Sequence, residues 1–263
     1  MSRNPFAKLW VFDASSHSVR DNAVVQSDTF IVRPDKNFLI FSEYFGDAKT
    51  WTQAQEGFVS FLSQGVGDKD ATLPFVLRAD LSLAGNILLN GMTYAHDLLI
   101  KLNKEHKGAS RQGLRTGASL IALSVDAGGY ALARVGACGA LCMRGSHVSW
   151  LLQPHSYAQL RDPFVNDLSS DEESDIFVSQ AYPVTALGLT ASFEPEVRDY
   201  RLQPGDAIFF ISSQVSVPRL MRAMEEGMKH ASLSKEILFT EALKVYGKND
   251  TGRHHVAMLE IGG

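Results

Sequence analysis

The sequence predicts an α+β protein, because strand-like and helix-like segments are grouped and do not alternate as in a doubly wound parallel sheet. Strands come first, then two helices, more strands, a second pair of helices and a closing strand. The turns between the middle strands are short and glycine-rich, which favours antiparallel hairpins. The spacing of the segments gives no break, so residues 1–263 are predicted to form a single domain.

The first half of the chain predicts three strands and two helices. The strands are apolar runs rich in β-branched and aromatic residues, and a turn at Arg33–Asn37 separates the second from the third. The predicted strands are Leu9–Phe12, Ala23–Val32 and Phe38–Ser42, and the predicted helices are Thr50–Leu62 and Asn86–His106.

The helix Asn86–His106 is the clearest single element. Its apolar residues repeat at spacings of three and four, the pattern of a helix that is buried along one side. We interpret this stripe as core packing, and we interpret His96 and His106 as residues of the polar face. The stripe consists of Leu88, Met92, Ala95, Leu99 and Leu102.

The second half predicts three or four strands in succession, followed by another strand, two helices and a last strand. Asp126–Gly129 and Arg144–Ser146 have the composition of hairpin turns. The predicted strands are Ala118–Val125, Tyr130–Val135, Ala140–Met143, Val148–Leu152, Ala207–Ser212 and Val256–Ile261, and the helices lie near Val217–Met228 and Ser234–Tyr246.

Composition excludes several classes of function. The chain has 25 basic and 29 acidic residues, and 45% of its residues are hydrophobic. The balance of charge does not favour nucleic acid as a partner. No apolar run approaches the roughly 20 residues of a membrane span, and the first residues lack the apolar core of a signal peptide. We therefore expect a cytoplasmic protein that binds neither nucleic acid nor membrane.

The two cysteines, Cys138 and Cys142, lie in apolar sequence. In an extended segment their spacing places both on one face, which would suit a metal pair. No second Cys or His pair has the spacing of a zinc site, so we interpret both as small core residues. The low count gives no disulfide framework and fits a reducing compartment.

Two long connections are candidate interaction surfaces, Gly65–Gly85 and Tyr157–Pro183. The second contains the acidic run Asp167–Asp175. We interpret this run as a solvated loop, with docking of a basic partner as the alternative.

Seven segments resemble, in order, the motifs of one enzyme family. They are SSHSVRDNAVV (Ser15–Val25), FLIFSEYFGD (Phe38–Asp47), GASLIALSV (Gly117–Val125), ARVGACGALCMRGSHVSWLLQPHS (Ala133–Ser156), VTALGL (Val184–Leu189), LQPGDAIFFISSQV (Leu202–Val215) and RHHVAMLEI (Arg253–Ile261). Over nearly its whole length the chain thus resembles the metal-dependent Ser/Thr protein phosphatases of the type 2C, or PPM, family. The resemblance implies a β-sandwich of two mainly antiparallel sheets that is flanked by pairs of helices.

In active PPM enzymes, acidic residues at one end of the sandwich hold two Mn²⁺ or Mg²⁺ ions, which activate water against a phosphoserine or phosphothreonine. Most of the matching positions here are not acidic. The family's Asp-Gly pair matches Glu43 and Tyr44. The aspartate of its Ser-Asp-Gly matches Ser213, and the aspartate of its last Asp-Asn matches His254. The aspartate of the opening motif falls near Val25.

Two further family motifs have lost their charges. Gly-Asp-Ser-Arg is replaced by Gly-Ala-Cys-Gly, so Ala137 and Gly139 occupy the positions of its aspartate and arginine. Pro154 occupies the position of the aspartate in Asp-His-Ser. Hard divalent ions need carboxylate oxygens to compensate their charge, and Glu43 is the one carboxylate that these matches retain. We therefore expect no bound metal and no catalytic residue.

The resemblance then predicts a catalytically inactive pseudophosphatase. Such a protein would act in signalling as a regulatory or scaffolding module that binds a protein partner: a kinase, a phosphatase or an assembly component. The sequence does not predict the oligomeric state.

Two alternatives stay open. Glu43 and His254 would together suit Zn²⁺ better than Mg²⁺, which would make the protein an atypical metal-dependent phosphoserine/phosphothreonine phosphatase. Because neighbouring strand residues point to opposite faces, at most one of His254 and His255 would reach Glu43. Arg20 matches the family's phosphate-binding arginine. In one interpretation its guanidinium binds phosphate in a forked contact, and the protein is a metal-free phosphopeptide-binding module. In the other interpretation Arg20 is a structural arginine.

Overall fold

The computed structural model describes residues 6–12, 17–19, 25–26, 29–65, 77–105, 115–126, 129–156, 183–189, 193–213, 215, 217, 220–222, 224 and 255–262. Its strands are β1 (Phe6–Phe12), β2 (His17–Val19), β3 (Val25–Gln26), β4 (Phe30–Arg33), β5 (Phe38–Phe45), β6 (Gly117–Asp126), β7 (Gly129–Val135), β8 (Gly139–Arg144), β9 (His147–Leu152), β10 (Glu196–Tyr200), β11 (Ala207–Ile211) and β12 (Val256–Ile261). Its α-helices are α1 (Ala48–Gly65) and α2 (Leu83–Glu105). The predicted α+β class is confirmed.

The strands form two antiparallel six-stranded sheets that pack face to face. The first sheet has the order β2-β1-β12-β11-β8-β9, and the second has the order β10-β7-β6-β5-β4-β3. Apolar side chains from both sheets fill the space between them, and the ring of Phe41 on β5 stacks on that of Phe210 on β11, with centroids 6.1 Å apart. The predicted β-sandwich is therefore present.

The helices α1 and α2 cover the outer face of the second sheet. Side chains alternate along β6, so that Ile121 faces the opposite sheet and Leu120 faces the helices. Four residues of the predicted stripe on α2 are buried and Leu102 packs against them, which confirms the stripe as core. His96, however, is buried too, so its prediction as a polar-face residue is wrong. His106 lies outside the described residues.

The outer face of the first sheet carries a second apolar layer. Phe209 and Met258 of that sheet pack with Leu220 and Met224, whose backbone is helical. These positions belong to the helix predicted near Val217–Met228. The helix predicted at Ser234–Tyr246 lies outside the described residues.

Both predicted hairpins are present. Asp126 pairs with Gly129 across one turn, and Arg144 pairs with His147 across the other. Gly145 in the second turn has a φ of +61°, which a glycine adopts without strain.

Two predictions about strands need correction. The single strand predicted at Ala23–Val32 is divided into β3 and β4, which pair with each other as a hairpin. The edge strands β2 and β10 were not predicted; β2 pairs with β1, and β10 pairs with β7.

None of the helices in the described part of the chain is long and apolar enough to cross a membrane. The prediction of one domain over residues 1–263 stays a prediction.

Candidate functional site

The centre of the site is a contact between Glu43 and Ser213, which come from opposite sheets. Glu43 lies on β5 and is half-buried, and Ser213 follows the end of β11. The backbone N–H of Ser213 donates to Glu43 Oε2 at 3.0 Å, and the Ser213 hydroxyl donates to Oε1 at 2.9 Å. The structure thus brings together two of the positions that the sequence matched to metal ligands.

This contact engages both oxygens of the Glu43 carboxylate. A carboxylate in a hard-metal site turns its lone pairs towards the cation. Here the same oxygens accept hydrogen bonds from one residue, and the charge of the carboxylate strengthens both bonds. Ser213 therefore supplies two neutral donors at the position that the sequence resemblance matches to an aspartate of the PPM family.

Tyr44 lies on the other face of β5. Its ring stacks on that of Trp51 in α1, with centroids 6.1 Å apart and an interplanar angle of 13°. Neighbouring strand residues alternate between faces, so Tyr44 packs against the helix layer whereas Glu43 reaches towards the first sheet. The structure therefore separates these two predicted site residues.

Asp47 is another carboxylate close to the end of β5, and it caps α1. Its Oδ2 accepts a hydrogen bond from the backbone N–H of Thr50 at 2.8 Å and another from the Thr50 hydroxyl at 2.8 Å. Asp47 thus satisfies one of the open N–H groups at the start of the helix. This role was not predicted from the sequence, although an aspartate directly before a helix is a recognised signal of a helix start.

The turn Gly136–Gly139 lies beside this contact. The backbone N–H of Ala137 donates to Ser119 Oγ at 3.0 Å, and Ser119 is the register partner of Glu43 on β6. Gly136 has a φ of +84°, and a Cβ there would lie 2.4 Å from Ser119 Oγ. The glycine is therefore required by both conformation and space.

Gly139 and Pro154 lie close together. A Cβ on Gly139 would lie 2.9 Å from Pro154 Cγ and 2.9 Å from Trp150 Cζ3. The sequence resemblance matches Gly139 to an arginine of the PPM family and Pro154 to an aspartate. The proline and tryptophan rings fill the space in which an arginine side chain would begin.

Arg134 contacts this turn, a role that was not predicted from the sequence. One of its terminal nitrogens forms a very short ion pair with Glu196 on β10, and the other donates to the carbonyl of Gly136 at 3.1 Å. The backbone N–H of His155 donates to the same carbonyl at 3.0 Å. Partial burial, together with the charge of Arg134, lowers the pKa of His155.

Both cysteines are buried, which confirms their interpretation as core residues. Burial raises the pKa of the Cys138 thiol well above its usual range, and the negative charge of Glu43 raises it further. Cys138 therefore stays a neutral thiol at physiological pH.

Ser212 and Ser213 follow β11 directly, as expected for the end of a strand. Ser212 forms two hydrogen bonds with His255, the residue directly before β12. The Ser212 N–H donates to the His255 carbonyl at 3.0 Å, and the His255 N–H donates to Ser212 Oγ at 3.1 Å. Other candidate residues and segments lie outside the described residues, namely Arg20, His254, His106, the acidic run and most of both predicted interaction loops.

The described residues do not fit a pair of Mn²⁺ or Mg²⁺ ions. Glu43 is bonded to Ser213 through both oxygens, and Tyr44 packs among the helices. In the described ranges, no group of three or more His, Cys, Asp or Glu side chains is placed to hold a metal ion.

No protein-family model matches the chain, and no curated protein matches its sequence. Solved structures do match in fold. The PPM Ser-Thr phosphatase MsPP from Mycobacterium smegmatis, solved with cacodylate, is 15% identical at a TM-score of 0.63, over 98% of this chain and 99% of that one. The catalytic domain of the serine threonine protein phosphatase PstP, solved with 2 manganese ions, is 10% identical at 0.62, over 97% and 98%.

A third match is PppA, described as a key regulatory component of T6SS in Pseudomonas aeruginosa. It is 10% identical at a TM-score of 0.61, over 97% of each chain. Identities this low establish the fold alone. The chain therefore has the PPM phosphatase fold, as the order of its motifs predicted.

Proposed function

We propose that this chain is a degenerate PPM-family protein, a pseudophosphatase that has lost metal-dependent catalysis and acts as a regulatory protein-binding module. The observation that carries the proposal is the pair of hydrogen bonds from Ser213 to the two oxygens of Glu43.

PPM chemistry needs two divalent cations about 4 Å apart, held by several carboxylates that offset their mutual repulsion. In the described part of this site, Glu43 is the carboxylate at a matching position. An ion that binds Glu43 must first displace Ser213, and a hydrogen bond to a charged group contributes about 1.5–3 kcal/mol. The ion would then be bound by a single carboxylate. One negative charge does not compensate the positive charge of two divalent cations.

The similar structures include both enzymes and a protein described as regulatory, so they support different functions for this chain. MsPP and PstP are phosphatases, and PstP was solved with manganese, so the fold alone would favour an enzyme. PppA is described as a regulatory component, which gives the same fold a regulatory setting. The function of a protein depends on its site, and one fold can serve several functions. In this proposal the replaced metal ligands are therefore stronger support than the shared fold.

The partner in this proposal is a protein, such as a kinase, a phosphatase or an assembly component. The proposed surface lies in the connections Gly65–Gly85 and Tyr157–Pro183, which the sequence predicts to be mainly long loops. The acidic run Asp167–Asp175 in the second connection would favour a basic partner.

Turnover of p-nitrophenyl phosphate and of a phosphothreonine peptide tests the proposal. Purified protein is assayed with Mn²⁺, Mg²⁺ and Zn²⁺ in turn, beside Glu43→Ala and His254→Ala. We expect no metal-dependent rate above that of Glu43→Ala. Metal-dependent turnover that both substitutions abolish would overturn the proposal and establish the alternative site at Glu43 and His254.

The phosphopeptide alternative has its own readout. Binding of the phosphothreonine peptide and of its unphosphorylated form is measured without metal, with Arg20→Ala and the exposed control Arg115→Ala. We expect no preference for the phosphorylated form. A preference that Arg20→Ala removes and Arg115→Ala keeps would make the protein a phosphopeptide reader.

A further inference from the structure

The most exposed large apolar side chains in the described part of the chain lie at the end of the predicted interaction loop Gly65–Gly85. Leu77 is 54% exposed, and Leu83, the first residue of α2, is 49% exposed. We name residues 77–83 the leucine loop. Isolated apolar residues on a surface need no explanation, whereas apolar residues grouped on one loop favour an interaction site.

Asn86 fixes the backbone of the leucine loop. Its side chain is buried, and its Nδ2 donates to the carbonyls of Arg78 at 2.9 Å, Leu81 at 3.1 Å and Ser82 at 3.0 Å. Its Oδ1 accepts a hydrogen bond from the Arg78 N–H at 2.7 Å. The Leu81 N–H donates to the Arg78 carbonyl at 3.3 Å, which closes a tight turn. One buried amide thus holds three residues of the loop.

Two aspartates hold the end of the leucine loop where α2 begins. Asp199 on β10 accepts hydrogen bonds from the Ser82 N–H at 2.7 Å and from the Ser82 hydroxyl at 2.6 Å. Asp126 at the end of β6 accepts one from the Ala84 N–H at 2.9 Å. The loop backbone is therefore fixed while its leucines remain in water. Such a preformed surface loses little conformational entropy when it binds.

A charged pair lies between the two leucines in the sequence. Arg78 Nε donates to Asp80 Oδ1 at 3.1 Å, and Arg78 Nη2 donates to Asp80 Oδ2 at 2.6 Å. Both side chains are at least half exposed. A guanidinium has five N–H groups and this pair uses two of them, so Arg78 has donors left for a second carboxylate.

This arrangement of charges is complementary to itself. In a two-fold pair of identical chains, a contact from residue i to residue j is repeated from j to i. Arg78 of each copy can then lie opposite Asp80 of the other, with the leucines of both copies beside these contacts. A partner surface of a single sign would attract one of these two residues and repel the other. The loop therefore fits a second copy of this chain better than a strongly acidic or basic partner.

We infer that the leucine loop is a self-association surface, on which two copies of this chain pair about a two-fold axis. This goes beyond the proposed function, because the occupant is a second copy and the contact involves neither Glu43 nor Ser213. The loop is short, so the interface is small and the pair is weak and dependent on concentration.

Sedimentation velocity of the purified wild-type protein tests the association. The weight-average mass is followed from ~5 µM to ~500 µM, a range in which weak complexes form. We expect the mass to rise with concentration towards twice that of one chain. A mass that stays at that of one chain over the whole range overturns the inference.

Leu77→Ser and Leu83→Ser test which surface associates. Both side chains are exposed, so the substitutions do not change the core. Each removes a leucine that the pair would bury, and we expect the dissociation constant to rise about tenfold or more. Tyr94→Ala, at another exposed position of α2, is the matched control and should associate like the wild type. Association that persists unchanged in both leucine variants, or that Tyr94→Ala weakens equally, overturns the inference.

Opposite charge reversals distinguish a second copy from any other occupant. A pair of Arg78→Asp chains brings only carboxylates together, and a pair of Asp80→Arg chains brings only guanidiniums together, so we expect each variant alone to associate more weakly. In an equimolar mixture each variant supplies the charge that the other lacks, and we expect pairs with one copy of each. Glu194, whose charge also acts on Arg78, is the same in both variants. A mixture that associates no better than either variant alone overturns the inference.

Discussion

At the scale of the residue, the serine at position 213 determines the chemistry of the contact with Glu43. A carboxylate at position 213 would repel Glu43 unless a cation lay between them, whereas a serine donates to it twice. The two residues are 170 positions apart, so neither composition nor periodicity relates them. The resemblance to PPM motifs marked both as replaced ligands, but the hydrogen bonds between them follow only from the three-dimensional fold.

Ser213→Ala removes the hydroxyl donor and leaves the backbone N–H in place. We expect the free energy of unfolding to fall by about 1–2 kcal/mol, because the half-buried Glu43 carboxylate loses one of the two hydrogen bonds that Ser213 donates to it. Urea denaturation measures the change, with Ser149→Ala on an exposed position of β9 as the control. Equal stability of the variant and wild type would show that the contact contributes nothing.

The Cys138 thiol should be chemically silent in the folded protein. Its pKa is raised by burial, so little thiolate forms at pH 8, and the side chain is enclosed. Labelling with a thiol reagent, followed by mass spectrometry, should modify Cys138 only under unfolding conditions. Rapid labelling of the native protein at pH 8 would contradict the described environment.

His96 illustrates where a residue-scale prediction fails. A lone histidine beside an apolar stripe is usually a solvent-facing residue, and the sequence offered no partner for it. The partner is the backbone N–H of Gly188, in a segment that docks from far along the chain. The pattern of side chains in a sequence does not indicate which of them form hydrogen bonds with backbone groups. The burial of such a polar residue therefore cannot be predicted from periodicity alone.

At the scale of the element, hydrophobic pattern and turn chemistry predicted most strands and both described α-helices. The edge strand β10, EVRDY, was not predicted because three of its five residues are charged and Pro195 lies directly before it. Its charges are compatible with an edge position, where one side of the strand has no neighbour in the sheet. The start of α1 was placed two residues late, because its cap, Asp47, was not recognised.

Asp47→Ala tests the cap of α1. Loss of the carboxylate leaves the Thr50 N–H without this acceptor, and we expect the free energy of unfolding to fall by about 1 kcal/mol. Asp97→Ala, an exposed position within α2, is the control and should change little. Asp47→Asn keeps an acceptor and should recover most of the stability; if it is as unstable as Asp47→Ala, the capping role is wrong.

At the scale of the whole molecule, the order of the motifs predicted the sandwich, although no motif is intact. The two sheets and their helix layer need apolar residues at the correct period, and those are present here. Catalytic residues need particular charges at particular positions, and our proposal is that those are replaced in this chain. The fold can therefore be predicted from motifs that are too altered to predict the activity. The packing of a core tolerates substitutions that metal coordination does not.

The proposal depends on the contact between Ser213 and Glu43 standing in the place of a metal centre. A calorimetric titration of the purified protein with Mn²⁺ tests this, beside Glu43→Gln as the matched variant. We expect no saturable heat, and the same trace for both proteins. Saturable binding of about two ions per chain, lost in Glu43→Gln, would contradict it.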